Sequence, residues 1–481
     1  MAAKTQGISE DWLSLWLGLF IFVLSLWVFV GVDLLGWGLK VDIWTDLTKA
    51  IRPVSKEIQG ISGLSALFLT YIFLMFLMGI GAQALRVDMG KFQMAFTLVF
   101  FISMVCWFLG HYAYVAATPD QLKKLGIGWS LNLTGEAGYI LALIVGLIVG
   151  NFFTSFSDTL KEATRPELYI KTAIVIMGAG LGVKAAEALE LASAVLFLGL
   201  CAIVVAYLIY WAFVYFVSRR YFKFSREWAA PLASGISICG VSAAIATGGA
   251  IRARPVVPIM VSSLVVIFAV VELIILPFLA QGFLWQEPMV AGAWMGLAVK
   301  TDGAAVASGA VVDALIRAKT LAETGINYKE GWILMTATTV KVFIDIFIGV
   351  WAFILAIIWC AKIECKPGEK VRAREIWERF PKFVLGYALT FIIFLIICAS
   401  VPELIKPAKM ASAESNVFRQ IFFAMTFFTI GVVSNFKKLW EEGIGRLAVV
   451  YLICLFGFII WIGLAISWIF FHGVKPPVIT G

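Results

Sequence analysis

The sequence predicts an all-α polytopic membrane protein, on three observations. Hydrophobic residues make up 62% of its 481 positions, where soluble domains hold about 45–50% apolar residues. Charged residues are 14%, against roughly 25% in a soluble chain. The apolar residues also gather into about thirteen windows of roughly 20 residues, the length a helix needs to cross the hydrocarbon core. The mean hydropathy of +0.96 agrees. The net charge of +8 is dispersed between apolar windows. It is therefore read as lipid-facing topology signal and not as a nucleic-acid surface.

The first window, 12–37, is too long for the apolar core of a signal peptide and lacks a small-residue cleavage site, so it is read as a retained span. Windows at 63–85 and 91–117 follow, and residues 1–137 are taken as an N-terminal extension of three spans. Residues 138–481 form the expected core, with windows at 138–156, 168–186, 191–217, 229–251 and 255–281, then 289–312, 331–361, 382–402, 417–437 and 446–471. The 168–186 window holds Gly178, Gly180 and Gly182, and the 289–312 window has Lys300, Thr301, Asp302 and Gly303 at its centre. Both are expected to be broken helices, and Gly431 is expected to mark a third break.

The most basic short loops, Arg219–Arg226 and Lys362–Lys382, fall on the N-terminal side if each window crosses once. By the excess of Lys and Arg on cytoplasmic loops, the N-terminus lies in the cytoplasm and the C-terminus outside. A faint repeat aligns Gly178 with Gly431, Lys184 with Lys437 and Cys201 with Cys454. An odd number of windows separates the copies, so they would be inverted, an arrangement common in secondary transporters.

The chemistry is sought where polar residues lie at membrane depth. The stretch from Leu232 to Ile251 is built of Gly, Ala, Ser, Thr and Ile, with Ser237, Cys239, Gly240 and Ser242 at its centre. Small residues there serve either close helix packing or an unwound segment whose peptide groups meet a solute. An intramembrane charge needs a partner or a wet cavity, and five stand out: Glu272, Lys300, Asp302, Lys341 and Asp345. Lys341 and Asp345 share a helix face, either as a self-neutralising pair or as an anion attractor with its orienting carboxylate. Lys300 and Thr301 are read with Lys341 as substrate-binding residues, and Asp302 and Asp345 as sites for a coupling H⁺ or Na⁺. Glu272, alone in an apolar run, is read as a lipid-shielded structural carboxyl in preference to a proton-coupling site. Asn435 and Lys437 line a cavity or cap a helix.

The seven cysteines form no CxxC or Cys/His cluster, so neither a disulfide framework nor a metal site is expected. No nucleotide-binding loop, HExxH or GxSxG occurs. Catalysis and a bound cofactor are not expected, and any transport draws on an ion or substrate gradient.

The SxCGxSAAIA stretch at Ser237–Ala246, GNFF at Gly150–Phe153, MGAGL at Met177–Leu181 and TIGVVSNFKKL at Thr429–Leu439 resemble the sulfate exporter family of bacterial conserved membrane proteins. The resemblance covers about residues 138–471. It implies membership of the bile acid–arsenite–riboflavin transporter grouping, with inverted repeats and broken, crossing helices. It further implies a core bundle moving against a scaffold, assembly as a homodimer, and residence in the bacterial cytoplasmic membrane. Its implied activity is export of sulfate or a sulfonate-type anion. Where relatives carry Val-His-Glu-Val, this chain has Val299-Lys300-Thr301-Asp302, which replaces a switchable imidazole with a near-permanent cation and suits an anionic substrate.

The leading expectation is a secondary transporter exporting a small anion. One alternative is sodium-coupled uptake of an organic anion, separable by flux with and without a sodium gradient. Another is a non-transporting scaffold or sensor, in which Lys300 and Lys341 would tolerate neutral replacements.

Overall fold

The computed structural model describes residues 8–362, 382–434 and 445–479, apart from 59, 118, 132–134, 136, 188, 252 and 255. Besides two short helices at Ala113–Ala116 and Pro119–Leu125, its helices are α1 (Glu10–Ser25), α2 (Gly63–Ala84), α3 (Met89–Gly110), α4 (Ala137–Phe152), α5 (Thr154–Leu160), α6 (Pro166–Glu187) and α7 (Leu189–Arg220). After these come α8 (Arg226–Ser237), α9 (Val241–Ala250), α10 (Val256–Phe283), α11 (Pro288–Ala298), α12 (Asp302–Thr324) and α13 (Trp332–Lys362). The last are α14 (Lys382–Ser400), α15 (Ile405–Val433), α16 (Gly445–Cys454) and α17 (Ile460–Phe471). Among the described residues a single hairpin of two short strands, Leu39–Val41 and Ile51–Pro53, joins α1 to α2. The all-α polytopic class therefore holds.

Among the described residues eight helices are long and apolar enough to cross a membrane, or nine if the bent α4–α5 segment counts as one. Helices α10 and α13, of 28 and 31 residues, also exceed the roughly 20 residues a span requires. The shortfall from thirteen comes partly from windows that do not cross. The 229–251 window is two arms of 12 and 10 residues, each only half the thickness of the hydrocarbon core at 1.5 Å per residue.

The chain forms two compact units, Met1–Ala192 with Lys382–Val433, and Ser193–Pro381 with Ser434–Gly481. The first thus groups α1–α3 with α4, α6, α14 and α15, so the N-terminal helices share a core with later elements and the chain does not divide at residue 137. In this unit Gly178, Gly180 and Gly182 lie inside the unbroken α6, and Gly431 lies inside α15. The expected breaks at these glycines are corrected. Their role is close packing: a Cβ on Gly178 would come 2.5 Å from the Tyr387 carbonyl of α14, and one on Gly431 would come 2.5 Å from the Leu143 carbonyl of α4. The two glycines that the expected repeat aligns thus each seat one helix against the backbone of another.

At the end of α3, His111 is buried and its Nδ1 donates to the Trp107 carbonyl at 2.7 Å. Burial pushes the imidazole down to about 4, and the Trp107 hydrogen bond and the charge of Asp42 only partly oppose that fall.

The second unit is built round two helical hairpins. Arm α8 ends at Ile238, and Gly240, at φ +62°, lets the chain reverse into α9; this backbone region is open to glycine alone at little cost. The arms lie side by side. Thr247 Oγ1 donates to Ser234 Oγ at 2.7 Å, Trp211 Nε1 donates to the same oxygen, and the Arg254 backbone N–H reaches Glu227 at the open end. The second hairpin is α11–α12, turning at Val299–Thr301. Its return arm comes back to where it began, since Lys319 Nζ donates to the Gln281 carbonyl at 3.1 Å and Thr320 Oγ1 to that of Trp285 at 3.4 Å. Buried Asp313 of α12 then caps α13 by accepting from the N–H groups of Gly331 and Ile333, both at 3.0 Å.

Helix α10 joins the two open ends: Arg254 lies just before its start and Gln281 in its last turn. At about 42 Å long, α10 sets the two hairpins entering from opposite ends. The sequence-based expectation of broken helices that cross is corrected to hairpins that turn back.

Candidate functional site

The two turns meet. A Cβ on Gly240 would lie 2.7 Å from the Lys300 carbonyl, so the tip of one hairpin abuts the tip of the other halfway along α10. Valine 265 of α10 packs against both Gly235 and Gly240. Helix α9 begins at Gly240 and α12 at its N-cap Thr301, whose Oγ1 accepts the Ala304 N–H at 3.2 Å. The other first-turn N–H groups of a helix have no acceptor within it, so two positive helix ends share this junction.

Lys300 is fully buried. Its backbone N–H donates to Glu272 Oε2 at 2.9 Å, its Nζ to the Leu297 carbonyl, and its ammonium lies 4.7 Å from the centre of the Tyr210 ring. Lys341 is equally buried, and its Nζ donates to the Ile238 carbonyl at 3.1 Å. Those contacts balance much of the cost of carrying an ammonium to this depth, through a helix C-terminal dipole and an aromatic face.

Of the residues singled out in the sequence, the structure brings Ser237, Cys239, Gly240, Lys300, Thr301 and Lys341 to one junction, all of them buried. Ser237 Oγ has no hydrogen-bond partner among the described residues, which leaves a hydroxyl available there. Gly303 sits in the first turn of α12 and starts a helix where a break had been expected. The side chains of Ser242, Asp302 and Asp345 lie outside the described residues, as do Asn435, Lys437 and 363–381 of the basic loop. Gly178, Gly180, Gly182 and Gly431 belong to the other unit.

Three residues were missed or misread from sequence. Glu272 is fully buried on α10 against Lys300, with Oε1 unpartnered among the described residues, so it belongs to the junction and is not an isolated structural carboxyl. Tyr210, under the Lys300 ammonium, and Tyr451, stacked on Phe268 of α10, are the others, each fully buried with a hydroxyl unpartnered among the described residues. A carboxylate in the middle of an apolar run was the available signal for Glu272; the tyrosines gave none. Among the described residues no group of three or more His, Cys, Asp or Glu suited to a metal occurs, and none of the five cysteines whose side chains are described forms a disulfide.

A family model described as conserved hypothetical protein 698 matches residues 124–450. The chain is 44% identical over 475 residues to a UPF0324 membrane protein of Nitrosomonas europaea, covering 98% of this chain and 97% of that one. It is 29% identical over 407 residues to a UPF0324 membrane protein of Nitratidesulfovibrio vulgaris, covering 83% of this chain and 63% of the relative. An uncharacterized protein of Archaeoglobus fulgidus is 56% identical over 165 residues, covering 30% of this chain and 88% of that one. No solved structure matches the chain. A match over most of the chain's length to the family model and to the Nitrosomonas protein makes this chain a member of the UPF0324 family of conserved membrane proteins.

Proposed function

We propose that the chain is a secondary transporter that exports a small anion, sulfate or a sulfonate-type compound, across the bacterial cytoplasmic membrane. The observation that carries this reading is the meeting of two hairpin tips beside two buried lysines. Non-helical backbone at membrane depth is tolerated where it is enclosed by protein or lines a solute path. Sites at the ends of half-helices are how many transporters bind ions and substrates. The N-termini of α9 and α12 together with Lys300 and Lys341 make the junction electropositive, which favours an anion. Ser237, Cys239, Gly240, Ser242 and Thr301 supply hydroxyl, thiol and backbone donors, while Asp302 and Asp345 orient the lysines or take a coupling proton.

Outward movement of an anion is driven by an inside-negative potential, worth about 2.3 kcal/mol per charge per 100 mV, and needs no nucleotide site. The N-terminus is then cytoplasmic and the C-terminus external. The test is sulfate and sulfonate flux in proteoliposomes. Wild type is expected to carry one of them, and Lys300→Ala to lose at least about tenfold of the rate, roughly 1.4 kcal/mol of barrier, while its melting profile in detergent stays cooperative. Equal flux in the two would remove Lys300 from the site.

A further inference from the structure

A hairpin that turns inside a membrane leaves both ends of a helix dipole at its tip. The outgoing arm presents N–H groups, and the incoming arm presents carbonyl oxygens that no later N–H reaches. Such carbonyls coordinate coupling sodium ions or protons in many transporters. In both hairpins here a lysine takes them. Ile238, the C-cap of α8, has its carbonyl on Lys341 Nζ at 3.1 Å. Leu297, in the last turn of α11, has its carbonyl on Lys300 Nζ. The two lysines come from different places, one from the long helix α13 and one from a hairpin turn, yet each delivers its ammonium to the negative end of an incoming arm. Both are at most 1% exposed.

We propose that Lys300 and Lys341 are tethered counter-cations that occupy the carbonyl positions a coupling sodium ion would otherwise take, so that anion transport by this chain is independent of sodium. The sodium-independence rests on the transport reading given above; the occupancy of the two carbonyl positions does not. Each ammonium supplies the single positive charge and the donors that a small cation would supply as a Lewis acid. Being covalently held, it neither arrives nor leaves during a transport cycle. Glu272 accepts the backbone N–H of Lys300 beside the same position.

The test uses the full chain purified in detergent, with sodium chloride and methylammonium chloride as probes and choline chloride as the bulky control. Wild type is expected to melt at the same temperature in all three. Lys341→Ala and Lys300→Ala each vacate one carbonyl position. At about 100 mM sodium or methylammonium at least one of them is expected to gain roughly 3 °C or more over choline. Wild type stabilised by sodium over choline overturns the proposal, as does indifference of both variants to both small cations. If neither variant can be purified, the wild-type melt alone decides: sodium stabilisation rejects the proposal and indifference supports it. Sulfate flux in wild-type proteoliposomes is expected to stay within about twofold when choline replaces sodium; a loss of tenfold or more rejects sodium-independence. A complete absence of anion flux would instead fail the transport reading, with the melting shifts still judging the lysine positions.

Discussion

Lys300 shows how a single charge can be read from sequence while its partners cannot. A lysine in an apolar window is costly by position alone, so it stood out at once. Its contact with Glu272 spans 28 residues, and nothing local in either segment announces it. The same is true of Tyr210, whose ring faces the ammonium from another helix. His111 carries a prediction at this scale. Its ordinary value is 6.5 and its folded value about 4, so the unfolded chain binds the proton first as pH falls. Stability is thus fully present above about 6.5 and is lost progressively between there and 4, by up to about 3 kcal/mol. In detergent melts the fall in melting temperature between pH 7.5 and 5 should be smaller in His111→Gln than in wild type. Parallel falls in the two would sink this assignment.

At the scale of the element, the hairpins explain why hydropathy misleads. Arms of 12 and 10 residues with a turn between them add up to one span length, so a sliding window counts a single crossing. The small residues were legible, and the turn at Gly240 falls within the stretch where a break was expected. What the composition leaves undecided is whether the second arm continues or returns, because that depends on side-by-side contacts such as Thr247 to Ser234. Gly240→Ala should be costly on two counts: a positive φ and a Cβ pressed onto Lys300. A loss of about 2 kcal/mol or more is expected, read as a lower melting temperature together with lost anion flux. Gly178→Ala and Gly431→Ala should each lower the melting temperature as well, since each Cβ would meet carbonyl oxygen at 2.5 Å. If either substitution is silent, the aligned glycines do not play the same packing role.

At the scale of the whole molecule, the hairpins alter the path of the chain. Glu227 and Arg254 share one end of the second unit, whereas Gln281, Trp285 and Lys319 share the other. Single cysteines at Glu227 and Arg254 should therefore react with a membrane-impermeant thiol reagent from one side. Cysteines at Gln286 and Lys319 should react from the opposite side. Labelling of positions 227 and 254 from opposite sides would restore a crossing helix and remove the hairpin. Because both misread windows contribute no crossing, the two errors cancel in the parity of the later loops.

Composition by itself determined that this is a helical membrane protein, and residue placement pointed to helix breaks within 232–251 and 289–312, to two more at Gly178–Gly182 and Gly431 that do not occur, and to the lysines that need an explanation. These follow from local chemistry: apolar length, small residues, and charge where water is absent. Tertiary structure alone decided that the failing helices turn back, that their tips abut, that Glu272 belongs with Lys300, and that the glycines of α6 and α15 serve packing. Each of these rests on contacts between residues far apart in sequence. A window of twenty residues records how much apolar surface a segment has to bury, but not which distant backbone will come to cover it.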